Sequence, residues 1–361
     1  MSVFTNSSFK NHEQIAFCHD ASTGLKAIIA IHDTTLGPAL GGTRFWDYQN
    51  DDDALRDVLR LSRGMTYKAA VAGLNLGGGK AVIIGNAKKL KSEALFRTFG
   101  RFVDSLGGRY ITAEDVNIGV ADMDYVAAET RFVTGISGGS GDPSPMTAFG
   151  VYAGIRAAVK YKLNRETLDG IKVSVQGIGH VGEYLCELLY KDGAKLFVYD
   201  IDKDRVQKAV QKFAATAVGE HEIYSAAVDV YAPCALGGAL NSDTIPAIKA
   251  SIVAGAANNQ LQDEAKHGAA VKERGILYAP DYVINAGGLI NVYHEIKGYN
   301  ENTARKQTAQ IHDTLLKIFS DAEKEGIPTN AASDRLAEKR IENMRQSKAL
   351  RNSVTDQRWI K

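Results

Sequence analysis

The β-prone run Lys172-Val173-Ser174-Val175-Gln176 passes without a break into Gly177-Ile178-Gly179-His180-Val181-Gly182. No other juncture in the chain constrains the fold as tightly. Gly177 permits a tight turn, Gly179 lets backbone N–H groups approach a pyrophosphate at a helix N-terminus, and Gly182 allows that helix to pack closely on the strand. Val181, Leu185, Leu188 and Leu189 then fall on one helical face. The next strand, Lys195 to Tyr199, ends in Asp200, about 20 residues past the glycines, where an acid accepts ribose hydroxyls. The fragment therefore has the form of a dinucleotide site, with Gly177, Ile178, Gly179, His180, Val181, Gly182 and Asp200 as candidate contacts. Asp200 favours NAD by repelling a 2′-phosphate, although Lys203 and Arg205 stand close by. Thr147, Cys234 and Ala256 are further candidates near strand ends, where cofactors lie in such sheets.

The same rhythm continues around this fragment. Short β-rich runs at 172–176, 196–199, 228–231, 252–254 and 276–278 alternate with helical stretches, which implies a doubly wound parallel sheet. Upstream, the segment from Gly135 to Pro145 is dense in Gly, Ser and Pro and reads as a hinge. Before it, short strands mix with helices. One helix is expected from about Asp52 to Ala72, with an apolar stripe of Leu55, Val58, Leu61 and Met65. Two domains follow: residues 1–140, a mixed α/β substrate-binding and oligomerisation domain, and residues 141–330, a Rossmann-like domain. Residues 331–361 form a C-terminal helical segment expected to pack back on the first domain, after an interruption at Gly326-Ile327-Pro328.

At 361 residues the chain accommodates two ordinary cores. Lys and Arg total 43 against 42 for Asp and Glu, so no single-sign field exists to hold nucleic acid or an anionic membrane. Residues Met1 to Lys10 lack a basic start and an apolar run, and no apolar stretch approaches the roughly 20 residues of a membrane span. Cys18, Cys186 and Cys234 are odd in number and lack metal-ligand spacing. These features predict a cytoplasmic protein that acts on small polar molecules, without a metal.

Lys68 follows Met65 by three residues and Leu61 by seven, which sets a cation on the expected apolar stripe. Two readings stand: a packed stem with its ammonium reaching water, or a cation aimed at a substrate carboxylate. Twelve residues on, Gly77-Gly78-Gly79-Lys80 leaves one side chain presented among glycines, which are expected to let backbone and substrate approach closely. A nucleoside triphosphate loop is excluded, because Ala81 follows the lysine and Leu74 occupies the position of the first glycine. The strand Arg109 to Ala113 ends in Glu114-Asp115, where an acid faces either solvent or a cleft. Paired with Lys80, Asp115 would form a proton donor and acceptor.

In order along the chain stand Gly37-Pro38-Ala39-Leu40-Gly41-Gly42-Thr43-Arg44, Gly64-Met65-Thr66-Tyr67-Lys68, Gly77-Gly78-Gly79-Lys80 and Thr112-Ala113-Glu114-Asp115. The second half adds Gly177 to Gly182, Ala232-Pro233-Cys234-Ala235, Gly255-Ala256-Ala257-Asn258-Asn259 and the run from Tyr278 to Gly288. With these motifs the chain resembles the glutamate, leucine, phenylalanine and valine dehydrogenase superfamily along nearly its whole length, most closely the leucine dehydrogenase branch. The resemblance implies that Lys68, helped by Asn258, binds the substrate carboxylate, and that Lys80 and Asp115 carry the proton chemistry. It also implies a substrate site lined by Leu40, Gly41, Gly42, Met65, Ala113, Leu289 and Val292, with Asn285 among the cofactor contacts. In the glutamate enzymes of this superfamily a lysine precedes the paired glycines; here Leu40 does, so a glutamate side chain would bury an unpaired carboxylate.

The implied reaction is NAD-dependent, reversible oxidative deamination of an apolar L-amino acid, leucine or another branched-chain residue first and an aromatic one second, to the 2-oxo acid and ammonia. It would run in a cleft between the two domains and peak at alkaline pH in the deaminating direction. A homo-oligomer is implied as well: octamer, tetramer or dimer. A hydroxy-acid or alcohol dehydrogenase would share the cofactor half but would want a histidine, tyrosine or metal set. A non-catalytic NAD sensor would not need Lys68, Lys80 and Asp115 together.

Overall fold

The structure, a computed structural model, describes residues 3–357; residues 358–361 of the expected C-terminal segment lie outside the described residues. The chain divides into two compact units. The first comprises Met1–Gly141, Glu295–Tyr299 and Ala337–Lys361, and the second Asp142–His294 and Asn300–Leu336.

The first unit is built on a five-stranded sheet of β1 (Gln14–Asp20), β2 (Leu25–Asp33), β3 (Ala39–Trp46), β4 (Gly77–Ile84) and β5 (Tyr110–Glu114), in the order β1-β2-β4-β3-β5. β1 and β4 run antiparallel to β2, whereas β3 runs parallel to both β4 and β5. Alternation along the strands gives the sheet two apolar faces. On one, Ile29, Ile31, Ala81, Ile83 and Tyr110 meet Phe96, Phe99 and Val103 of the helix Glu93–Ser105 and Met123 and Val126 of the helix Val120–Ala127. On the other, Ile28, Ala30 and Val82 meet Ala54, Leu55, Val58 and Leu59 of α1 (Asp51–Val71). Asn50 caps α1 through the Asp53 N–H, and Asp51, Asp52 and Asp53 fill its first turn, where the helix dipole favours acids.

The face of α1 that meets the sheet is not the expected stripe. Leu55 and Val58 are buried, but the contact continues through Ser62, Thr66, Ala69 and Ala70, whereas Leu61, Met65 and Lys68 lie half-buried along its flank. The reason is Gly78. A Cβ there would stand 2.1 Å from the Thr66 nitrogen and 2.5 Å from the Ser62 carbonyl oxygen, so helix and strand meet almost backbone to backbone and only small residues fit. Hydrophobicity does not mark such a contact. The glycine run is thus a buried strand segment, and protein takes up the close approach expected of substrate: Gly78 faces α1, and Gly79 faces the Tyr110 ring.

Glu295 joins the same unit and accepts hydrogen bonds from the Gly135 N–H (3.1 Å), the Ser140 N–H (3.0 Å) and the Ser140 hydroxyl (2.6 Å). The long helix Thr329–Gln357 also contributes: Tyr67 donates to Glu338 (2.8 Å), and the Arg340 guanidinium reaches the Ala70 carbonyl at the C-terminus of α1 (2.9 Å).

The second unit holds a six-stranded, all-parallel sheet of β6 (Lys172–Gln176), β7 (Lys195–Tyr199), β8 (Thr216–Ala217), β9 (Val230–Pro233), β10 (Ile252–Val253) and β11 (Leu277–Tyr278), in the order β11-β10-β9-β6-β7-β8. β9 begins two residues later than the pattern at 228–231 suggests, because Val228 is held in a turn on the Ala226 carbonyl (2.9 Å). The chain runs outward from β6 to β8, then returns to lay β9 on the other side of β6. The strand order reverses between β6 and β9, and ligands of such sheets bind outside the strand ends at that reversal. Among the described residues, no helix is long and apolar enough to cross a membrane, and no group of three His, Cys, Asp or Glu is placed to hold a metal.

Candidate active site

In the first unit, Lys80 projects from β4 on the same side as Gly78, the side on which α1 lies. Its side chain is 8% exposed, and its Nζ stands 2.7 Å from Asp115 Oδ2, immediately past the end of β5. The parallel register that sets Gly42 opposite Ala113 brings the two together, and a Cβ at Gly42 would come within 2.9 Å of the Asp115 Cβ. Gly41 is equally constrained: its carbonyl accepts the Tyr110 hydroxyl (2.6 Å), and a Cβ there would fall on the Gly79 carbonyl oxygen. Leu40, paired with Gly78 and Ile111, is buried, as is Ala113.

Asp115 does not face Lys80 alone. Arg44 Nε stands 3.2 Å from the same Oδ2, Arg44 Nη1 reaches Asp57 Oδ2 on α1 (3.0 Å), and the Tyr48 hydroxyl donates to that oxygen as well (2.6 Å). Burial pushes the Asp115 carboxyl up, but the Lys80 ammonium and the Arg44 guanidinium outweigh it and hold the group below the usual carboxylate range. Burying a lysine and a carboxylate is costly even when they are paired, and an apolar pair would fill such a site at lower cost. A chain that retains the charges here has the groups for proton transfer. Sequence reading missed Arg44 and Asp57, although Arg44 ends the first motif quoted above.

In the second unit, Gly177 follows β6 at φ 95°, a backbone conformation that favours glycine. A Cβ there would press on Ala235 at 2.8 Å, and one at Gly182 would stand 2.1 Å from the Gly177 carbonyl oxygen. The helix His180–Lys191 starts at Gly179 with no side chain capping it, and a Cβ at Gly179 would meet nothing nearer than Arg205 Nη1 at 3.8 Å. Its first-turn N–H groups are the donors a phosphate needs. Gly182 is buried against the loop, and Val181 is half-buried. Asp200 Oδ2 accepts the Ile178 N–H (2.6 Å) and Oδ1 the Asp202 N–H (2.9 Å), so the acid also shapes the loop it serves. A carboxylate has lone pairs left for ribose hydroxyls. Ile201 is 89% exposed and Leu236 84%, two apolar surfaces beside this loop that sequence reading overlooked. Cys234, whose N–H donates to the Gln176 carbonyl (2.7 Å), sits at the end of β9.

Asn285 Nδ2 donates to the Ala256 carbonyl (3.0 Å) and to Asn258 Oδ1 (2.8 Å). Asn285 is buried and Asn258 exposed, so the first fixes the amide of the second with its NH₂ group turned away. Asn285 Oδ1 is buried without a hydrogen-bond partner, an acceptor left for a bound donor. Thr147 lies in the first turn of the helix Ser144–Leu163, its hydroxyl 2.7 Å from where a Gly288 Cβ would stand. Leu289 is buried and Val292 half-buried on the helix Gly287–Ile296. The glycine loop, the uncapped helix start, Asp200 and the orphaned Asn285 oxygen all fit a dinucleotide.

Residues 12–132 match the family model described as Glu/Leu/Phe/Val dehydrogenase, dimerisation domain, and residues 138–200 and 197–347 match that of Glutamate/Leucine/Phenylalanine/Valine dehydrogenase. The chain is 56% identical over 352 residues to a leucine dehydrogenase of Geobacillus stearothermophilus, covering 97% of this chain and 96% of that one. It is 51% identical over 340 residues to a valine dehydrogenase of Streptomyces virginiae, covering 92% and 95%. The crystal structure of an L-tryptophan dehydrogenase from Nostoc punctiforme superposes with a TM-score of 0.83 at 54% identity, covering 93% of this chain and 97% of that one.

Proposed function

Since the chain belongs to the glutamate, leucine, phenylalanine and valine dehydrogenase family and is an amino-acid dehydrogenase, we propose that it catalyses the reversible, NAD-dependent oxidative deamination of an apolar L-amino acid to the 2-oxo acid and ammonia. Leucine and the other branched-chain amino acids are the first choice of substrate. The observation that carries the reading is the ion pair of buried Lys80 with half-buried Asp115, flanked by a strand that presents Leu40 where glutamate enzymes present a lysine.

The dinucleotide, when bound, accepts the hydride from the substrate α-carbon. Lys68 supplies the cation for the α-carboxylate, and the Asn258 amide, held by Asn285, supplies N–H donors. Lys80 takes a proton from the water that adds to the substrate's imine carbon, and Asp115 exchanges protons with the amino nitrogen as ammonia leaves. Leu40, Met65, Leu289 and Val292 supply apolar surface, with no cation for a side-chain carboxylate. Asp200 favours NAD over NADP by repulsion of a 2′-phosphate. The chain functions as a homo-oligomer in the cytoplasm, a reading supported by the family description of residues 12–132 as a dimerisation domain and by three free cysteines that fit a reducing compartment.

The test is initial-rate NAD reduction at alkaline pH with leucine, valine, isoleucine, phenylalanine, tryptophan, alanine and glutamate, for the wild type and Lys80→Ala, repeated with NADP. The expected result is a branched-chain rate that Lys80→Ala abolishes. Dominant tryptophan turnover would keep the mechanism and replace the substrate; glutamate turnover would refute the role given to Leu40; silence across the panel would refute the reading.

A further inference from the structure

We propose that Arg44 is a positioning residue for the proton-transfer pair: a permanent cation that fixes the Asp115 carboxylate beside Lys80 while Lys80 changes its charge. The inference rests on the roles proposed above for Lys80 and Asp115. Two cations meet on one oxygen, Lys80 Nζ at 2.7 Å and Arg44 Nε at 3.2 Å from Asp115 Oδ2. If Lys80 gives up and regains a proton in each cycle, the Lys80–Asp115 attraction is lost and restored each time. A carboxylate held by Lys80 alone would then be free to take a proton or to turn away. Guanidinium does not deprotonate in proteins, so Arg44 keeps Asp115 anionic and aimed through both halves of the cycle.

The geometry favours arginine over lysine. Nε faces Asp115 at the end of β5, while Nη1 faces Asp57 on α1, itself accepting from Tyr48. One planar fork therefore ties β3 to β5 and to α1, which a point charge on a flexible stem cannot do. Among the described residues, the charged and titratable groups around Asp115 include Lys80 from β4, Arg44 from β3, Asp57 from α1, Tyr48 from the segment after β3, and Tyr110 earlier on β5. Of these, only Arg44 and Lys80 bond to the carboxylate by their side chains.

The experiment is the pH dependence of kcat and kcat/KM for deamination in wild type, Arg44→Gln, Arg44→Met, Arg44→Lys and Asp115→Asn, with melting temperature measured on each. Removing a fixed positive charge makes every proton-binding group around it hold its proton more tightly, so the acid limb of Arg44→Gln moves up by about one pH unit. Its kcat falls about tenfold or more. Arg44→Lys keeps the charge, so its limb stays near the wild-type position while kcat is only partly restored. A purely structural role would lower rates at every pH and leave the limb in place. A folded Arg44→Gln with the wild-type limb and kcat overturns the proposal. If Arg44→Gln does not fold, Arg44→Met decides by the same readout: a limb moved up together with a lowered kcat supports the proposal, and an unmoved limb overturns it. An active Asp115→Asn would instead refute the role of the pair itself.

Discussion

Gly78→Ala adds one methyl group where α1 and β4 meet. The new Cβ would lie 2.1 Å from the Thr66 nitrogen, 2.2 Å from its hydroxyl oxygen and 2.5 Å from the Ser62 carbonyl oxygen. Ordinary contact is about 3.5 Å, so the two elements must separate by about 1 Å. Two of the three obstructing atoms are backbone, so no rotamer change relieves the clash. Overpacking of this kind costs about 1–3 kcal/mol, and a backbone obstruction belongs at the upper end. At 2–4 °C per kcal/mol for a unit of this size, the melting temperature falls by about 6–12 °C. Function suffers separately, because α1 carries Lys68, proposed above to bind the substrate carboxylate, on the flank of the displaced face. A 1 Å misplacement of a substrate-positioning group costs about 100-fold in rate. The assay is a melt at fixed scan rate together with initial rates on the preferred amino acid. Gly64→Ala is the control, on the same helix but with nothing within 4 Å of its Cβ, and it should stabilise by about 0.5–1 kcal/mol. A Gly78→Ala protein that melts with the wild type and turns over at the wild-type rate would refute the backbone contact and the reasoning built on it.

Asp200→Ala should raise KM for NAD with little change in kcat and narrow the preference over NADP, because it removes both the proposed ribose acceptor and the Ile178 tether; unchanged cofactor kinetics would contradict this. Asn285→Ala should raise KM for the amino acid by about tenfold by releasing the Asn258 amide, measurable against Asn258→Ala, which should show little further loss in the double variant. His32 accepts from the Thr66 hydroxyl at Nδ1 and donates to the Lys10 carbonyl at Nε2, and burial followed by the neighbouring His12 pushes it down to about 4 from 6.5. The unfolded chain thus binds the extra proton first. The contribution to stability, on the order of 2 kcal/mol, is present above about pH 6.5 and lost as pH falls toward 4. Chemical denaturation at pH 7 and 4.5 should show a smaller difference for His32→Gln than for the wild type.

What was legible in the chain follows from what is local. A strand running into three spaced glycines and a helix can be read directly, because the left-handed turn at Gly177 and the tight packing at Gly182 are demands on neighbouring residues. The acid at Asp200 falls at a distance set by one strand and one helix, and Lys80 stands out because glycines surround it. The contact face of α1 was not legible, since Ser62 and Thr66 are chosen for smallness against Gly78 and carry no hydrophobic signal. Nor was the joining of Arg44, Asp57 and Asp115, which depends on β3 lying parallel to β5 and on α1 covering the same face of the sheet. The hold of Asn285 on Asn258 likewise spans 27 positions. Sequence by itself determined which residues carry charge and where the backbone can turn, because those are properties of a residue and its neighbours. Tertiary structure decided which charges meet, because strand register and helix placement set distances of a few ångströms between residues far apart in the chain.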